Sequence, residues 1–138
     1  MSRTDDSLRL IQPRIVNPPT VPISNALEGR GVIYTVQMPR DPETLAASGD
    51  GGIEVQAERV FEQLRHVLEC AGSTMNDVAQ ITIYLVDRND APGMNAVYRR
   101  YFTEAPYPNR ATVIVKELLG ENCRIEIVVQ ALAPSGRA

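Results

Sequence analysis

Arg110 and Glu126 interrupt the two most β-prone stretches near the C-terminal end of the chain, Arg110–Val115 and Cys123–Leu132. Strand alternation sets Ala111, Val113 and Val115 on one side of the first stretch and Cys123, Ile125, Ile127 and Val129 on one side of the second. Both sets are apolar and are expected to share a buried face, which sends Arg110 and Glu126 together to the opposite face. An arginine so placed can pair with the glutamate. It can also offer its planar fork of donors to the carboxylate of a ligand. Periodicity leaves both open.

The remaining candidates carry less. His66 is the only histidine and no Ser or Cys stands in a triad pattern with it, so a surface or packing role is expected. Asp87 and Asp90 read as a solvated turn with a helix cap rather than a metal site. Gly49-Asp50-Gly51-Gly52 lacks the lysine of a phosphate loop and reads as a flexible loop. Cys70 and Cys123 lie far apart in apolar surroundings without a Cys-x-x-Cys pair, so two reduced, packed thiols are expected and zinc is not.

The elements that must position these residues follow from local pattern. Leu8–Val16 reads as an edge strand bent at Pro13, and a short strand near Ser24–Leu27 leads to the turn Glu28-Gly29-Arg30-Gly31. Val32–Met38 is rich in β-branched and aromatic residues and reads as a central strand. From Ile53 to Ala71, Val60, Leu64, Val67, Leu68 and Ala71 form a helical stripe stopped by Gly72. Asp77–Val86 alternates as a strand whose apolar face is Ala79, Ile81, Ile83 and Leu85. A second helix spans Ala91–Phe102, and a turn at Gly120-Glu121-Asn122 separates the last two strands. The order suggests an α+β domain with helices on one face of the sheet.

With two helices to cover one face, the other is left with Gln80, Thr82, Tyr84 and Val86, Arg110, Thr112 and Ile114, and Arg124, Glu126, Val128, Gln130 and Leu132. Such a mixed face is expected to be an oligomer interface.

Length and composition set bounds. The 138 residues, 43% hydrophobic and 22% charged, suit one globular domain. The tails 1–7 and 134–138 are expected to fray. No apolar run approaches the ~20 residues of a membrane span, and the polar Met1–Ser7 segment favours the cytoplasm. A net charge of −3 with scattered basic residues argues against nucleic acid as a partner.

Tyr107-Pro108-Asn109-Arg110-Ala111-Thr112-Val113, followed by Cys123-Arg124-Ile125-Glu126-Ile127, resembles the reactive-intermediate deaminase (Rid, or YjgF) family. Gln56 with Leu68-Glu69-Cys70-Ala71-Gly72, Asp77-Val78 before Ile81–Asp87, and Met94-Asn95-Ala96-Val97-Tyr98 with Tyr101-Phe102 extend the likeness across about Ile23 to Ala133. The resemblance implies a chorismate-mutase-like two-layer fold and a homotrimer with clefts between subunits. It implies hydrolysis of amino-acid-derived enamines or imines to 2-keto acids and ammonia, without metal or organic cofactor. Arg110 matches the family's carboxylate-binding arginine and Glu126 the glutamate that helps position water. Thr112 stands where many members have cysteine, and Asn95 matches an asparagine near the cleft. Two positions depart from the pattern. Ile23 stands where deaminating members carry tyrosine, and Val36 where they carry a glycine that lets backbone approach the ligand. Those departures keep open a non-catalytic trimer that binds a small carboxylate or regulates a partner. The family's endoribonuclease activity is a third possibility, weakened by the acidic balance.

Overall fold

The computed structural model describes residues 7–15, 17 and 20–134. The tails expected to fray lie outside these residues, apart from Ser7 and Pro134. The elements are β1 (Arg9–Leu10), β2 (Ala26–Gly29), β3 (Val32–Gln37), α1 (Ile53–Cys70), β4 (Val78–Leu85), α2 (Ala91–Tyr101), β5 (Asn109–Ile114) and β6 (Ile125–Leu132). Their order is the predicted one. The strands form one six-stranded sheet in the order β1-β2-β3-β6-β4-β5, antiparallel except for the parallel pair β4 and β5. The fold is α+β with a mixed sheet. No helix among the described residues is long and apolar enough to cross a membrane.

Helix α1 forms where its stripe finds the sheet. Ala57, Val60, Phe61, Leu64, Val67 and Leu68 are fully buried, each larger one worth roughly 1.5–3 kcal/mol relative to exposure. It ends in a Schellman motif. Gly72 takes φ +80°, its N–H donates to the Glu69 carbonyl, and the Ser73 N–H donates to that of Leu68. Helix α2 contributes Met94, Val97 and Tyr98, with Phe102 just beyond its end, and Phe61 meets Tyr98 and Phe102 edge-on. Against these helices the sheet buries Ile33, Ile81, Ile83, Leu85, Ile125, Ile127, Val129 and Ala131.

Two expectations about the strands are corrected, that Ala79 lies in the core and that Arg110 lies on the open face. Ala79 is exposed and Val78 takes its place in the core, because a bulge sets Val78 opposite Ala131 and Gln80 opposite Gln130. The last two strands do not pair, since β4 lies between them. The faces of β5 are inverted. Arg110 and Thr112 stand in register with Ile81 and Ile83 on the helix-covered side, whereas Ala111 and Val113 stand beside Thr82 and Tyr84 on the open side. All six residues of β5 are exposed, because it is the sheet's outer strand.

Smaller corrections concern side chains. Cys70 is exposed rather than packed, while Cys123 is buried as expected. The Gly49–Gly52 loop is tied down, because the buried Gln56 amide donates to the carbonyls of Gly49, Gly51 and Asn122. Asp90 is buried, not solvated, and accepts two hydrogen bonds from Arg124, at 2.8 and 2.9 Å. Asp87 caps the short 3-10 turn before α2 by accepting the Asn89 N–H.

Candidate site at the edge of the sheet

Because β5 runs parallel to β4 with Arg110 beside Ile81, the arginine rises on the side where α2 lies. Its guanidinium sits over the Tyr98 ring, 4.6 Å from the centroid. A cation over an aromatic face gains roughly 0.5–1 kcal/mol at an exposed site, enough to orient a side chain whose other rotamers face water. Among the described residues no carboxylate pairs with Arg110. The Tyr98 ring is held in turn by Phe61 and Phe102. Burial pushes the Tyr98 phenol up, and the neighbouring Arg110 charge opposes that rise.

A cleft of roughly 600 Å³ opens here, and Asn95, Tyr98, Arg99, Phe102, Thr103, Tyr107 and Arg110 line it. An unpaired guanidinium, an amide and phenolic rings form a site for a small anion with a flat or short apolar body. Of the residues expected from sequence, the structure brings Arg110 and Asn95 together. Thr112 shares the side of the sheet with Arg110 but does not line the cleft.

Glu126 does not join them. It stands opposite Tyr84 on the open side of the sheet, so Arg110 and Glu126 occupy opposite faces of one subunit. The pairing of these two residues on a common face is thereby excluded within the chain. Arg124, the nearest cation in sequence, is engaged by Asp90. Glu126 is half-buried without a cationic partner among the described residues, and burial raises its pKa above the ordinary glutamate range. Val36, paired with Val128, lies on the same open side and is exposed, and Ile23 is exposed in the segment before β2.

Tyr98 and Tyr107 are cleft residues that sequence reasoning did not single out. The signal for Tyr98 is present, since it lies three residues after Asn95 on one helix face. Nothing local marks Tyr107, whose place depends on the path of the loop into β5.

Comparison with known proteins bears on this arrangement. Residues 15–133 match the family model described as endoribonuclease L-PSP. The chain is 35% identical over 130 residues to the RutC family protein slr0709 of Synechocystis, covering 94% of this chain and 99% of that one. It is 34% identical over 107 residues to the 2-iminobutanoate/2-iminopropanoate deaminase of Salmonella typhimurium, covering 76% and 80%. Among solved structures, YyfA of Yersinia pestis, a protein of unknown function of the conserved Rid family, superposes with a TM-score of 0.84. It is 28% identical, and the match covers 92% of this chain and 100% of that one.

Proposed function

Because the chain belongs to the Rid (YjgF) family, we propose that it hydrolyses enamines or imines bearing a carboxylate to 2-keto acids and ammonia, without a cofactor, in clefts shared between the subunits of a homotrimer. The observation that carries this reading is the Arg110 guanidinium, steered by Tyr98 into an open cleft and free of any carboxylate among the described residues. The deaminase name of the Salmonella relative supports the reaction class.

The geometry divides the work. Arg110 binds the substrate carboxylate bidentately and fixes the orientation of the adjacent C–N unit. Asn95 lines the cleft and contacts the ligand's polar groups, whereas Thr112, on the same side of β5, lies outside the cleft lining. The enamine tautomerises to the imine, whose carbon is electrophilic. Water adds to that carbon to give a carbinolamine, whose collapse forms the C=O bond as the C–N bond breaks, and ammonia leaves carrying both protons of the water. Glu126 orients the water, takes a proton from it as it attacks and returns that proton to the departing nitrogen. Since Arg110 and Glu126 lie on opposite faces of one sheet, a site that uses both draws them from two subunits. The open sheet face supports such an assembly, because it exposes Tyr34, Val36, Val113, Val128 and Leu132 together. Ile23 and Val36 shape the part of the cleft contributed with Glu126, and their side chains alter which substrate fits.

The test is ammonia release from imines generated in situ by an amino-acid oxidase. The native protein should accelerate release, and Arg110→Ala should lower kcat/KM by at least about 10²-fold, since orientation is the main contribution. Sedimentation of that variant should be unchanged. Saturable binding of a small carboxylate without turnover would instead favour the non-catalytic trimer, the reading that Ile23 and Val36 support.

A further inference from the structure

A second cleft, sharing no lining residue with the first, lies between the N-terminal segment, the loop after β3 and the polar side of α1. Its volume is roughly 490 Å³. Ile15, Pro42 and Leu45 give it apolar walls, and Arg14, Arg40, Arg59 and Arg65 face it alongside Glu58, Glu62 and Glu69. The three glutamates are already engaged. Glu58 pairs with Arg100, and Glu62 and Glu69 pair with Arg65. Tyr101 donates to Glu58 and Glu62 as well.

Among the described residues Arg40 has no such partner. It is only 8% exposed, and its Nη atoms donate to the Leu45 carbonyl and the Asn17 side-chain oxygen, both neutral. Its Nε has no hydrogen-bond partner among the described residues. A buried guanidinium stays protonated, so burial penalises its charge without any carboxylate to compensate. The Leu45 backbone it holds is strained, with φ +65°, a conformation that leucine seldom adopts. Such strain persists only where the surroundings impose it, and it concentrates at ligand clamps.

We propose that this cleft is a second ligand site, taking a small organic anion whose oxyanion group compensates Arg40 and Arg59 and whose apolar body rests on Ile15, Pro42 and Leu45. The proposal is independent of the reaction assigned to the Arg110 cleft. A purely structural Arg40 would clamp the loop but show no preference for an anion.

The experiment follows amide resonances of ¹⁵N-labelled Arg110→Ala protein, which removes the first carboxylate anchor, while hexanoate is added at constant ionic strength. Saturable shifts at Arg40, Leu45, Arg59 and Gln63 are expected. Replacing Arg59 by Ala, or Arg40 by Gln, should weaken them at least about tenfold, as loss of a charge-assisted contact does. Arg59 lies at the half-exposed rim, so Arg59→Ala remains informative if Arg40→Gln does not fold. Hexan-1-ol, with the same carbons and no charge, should give no saturable shift. Absence of shifts with hexanoate, equal shifts with hexan-1-ol, or an unchanged titration in Arg59→Ala would each overturn the proposal.

Discussion

Arginine and glutamate make different demands on their surroundings, and the two candidate site residues illustrate both. Arg110 needs only a surface that orients it, which the Tyr98 ring supplies. Glu126 must be ionised to take a proton from water, and burial works against that state. A base whose pKa lies above the ordinary glutamate value loses its ionised form at a higher pH as the solution is acidified. The acidic limb of kcat for imine hydrolysis, where the substrate carboxylate neutralises Arg110, should therefore lie above the ordinary glutamate range. Glu126→Gln should lower kcat/KM by about 10²-fold and abolish that limb, because the amide neither ionises nor accepts the proton. A pH profile of the two proteins on one imine checks this, and a limb that persists in Glu126→Gln assigns it to another group. The chemistry of both residues was readable from their types and their places in strands. The face of Glu126 was readable too, but that of Arg110 was not, because alternation says which neighbours share a side but not which side meets the helices.

At the scale of elements, local pattern did most of the work and non-local pairing the rest. The order of strands and helices followed from periodicity, and the Gly72 stop from its need for positive φ. The insertion of β4 between β5 and β6, and the bulge at Ala79, depend on partners distant in sequence and leave no local mark. Gln56 shows how such distant segments are joined. Besides its three donated bonds, its carbonyl oxygen accepts the Arg124 N–H at 2.7 Å, so one fully buried amide ties the loop before α1 to the entry of β6. Gly49 packs so closely there that a Cβ would stand 2.3 Å from the Glu121 carbonyl oxygen. Gln56→Ala leaves an N–H and several carbonyls unsatisfied and should cost about 3 kcal/mol of stability in urea unfolding. A cost below about 1 kcal/mol would mean that water replaces the amide. Since the entry to β6 also carries Arg124 toward Asp90, the same change should loosen the start of α2, seen as faster amide exchange at Ala91 and its neighbours.

The whole molecule accounts for what looked inconsistent within one chain. On β5, Val113 faces the open side although no helix covers it, and Val36, Val128 and Leu132 share that side at 37–46% exposure. An edge strand that turns Ala111 and Val113 away from the helices is suited to contact another copy of the chain. The proposed active site requires the Glu126 of one subunit to meet the Arg110 of the next, since one subunit holds them on opposite faces. This makes a sharp prediction for mixtures. Arg110→Ala and Glu126→Gln are each expected to retain about a hundredth of native turnover or less. After the two are unfolded together in equal amounts and refolded, each interface draws its two members at random. An interface works when the arginine comes from the Glu126→Gln chain and the glutamate from the Arg110→Ala chain. That happens at about one site in four, so about a quarter of the native turnover should return. Mixing without subunit exchange should return none. If refolded hybrids stay as inactive as their parents while sedimenting as trimers, the two residues do not serve a common site across the interface, and the division of labour between Arg110 and Glu126 fails.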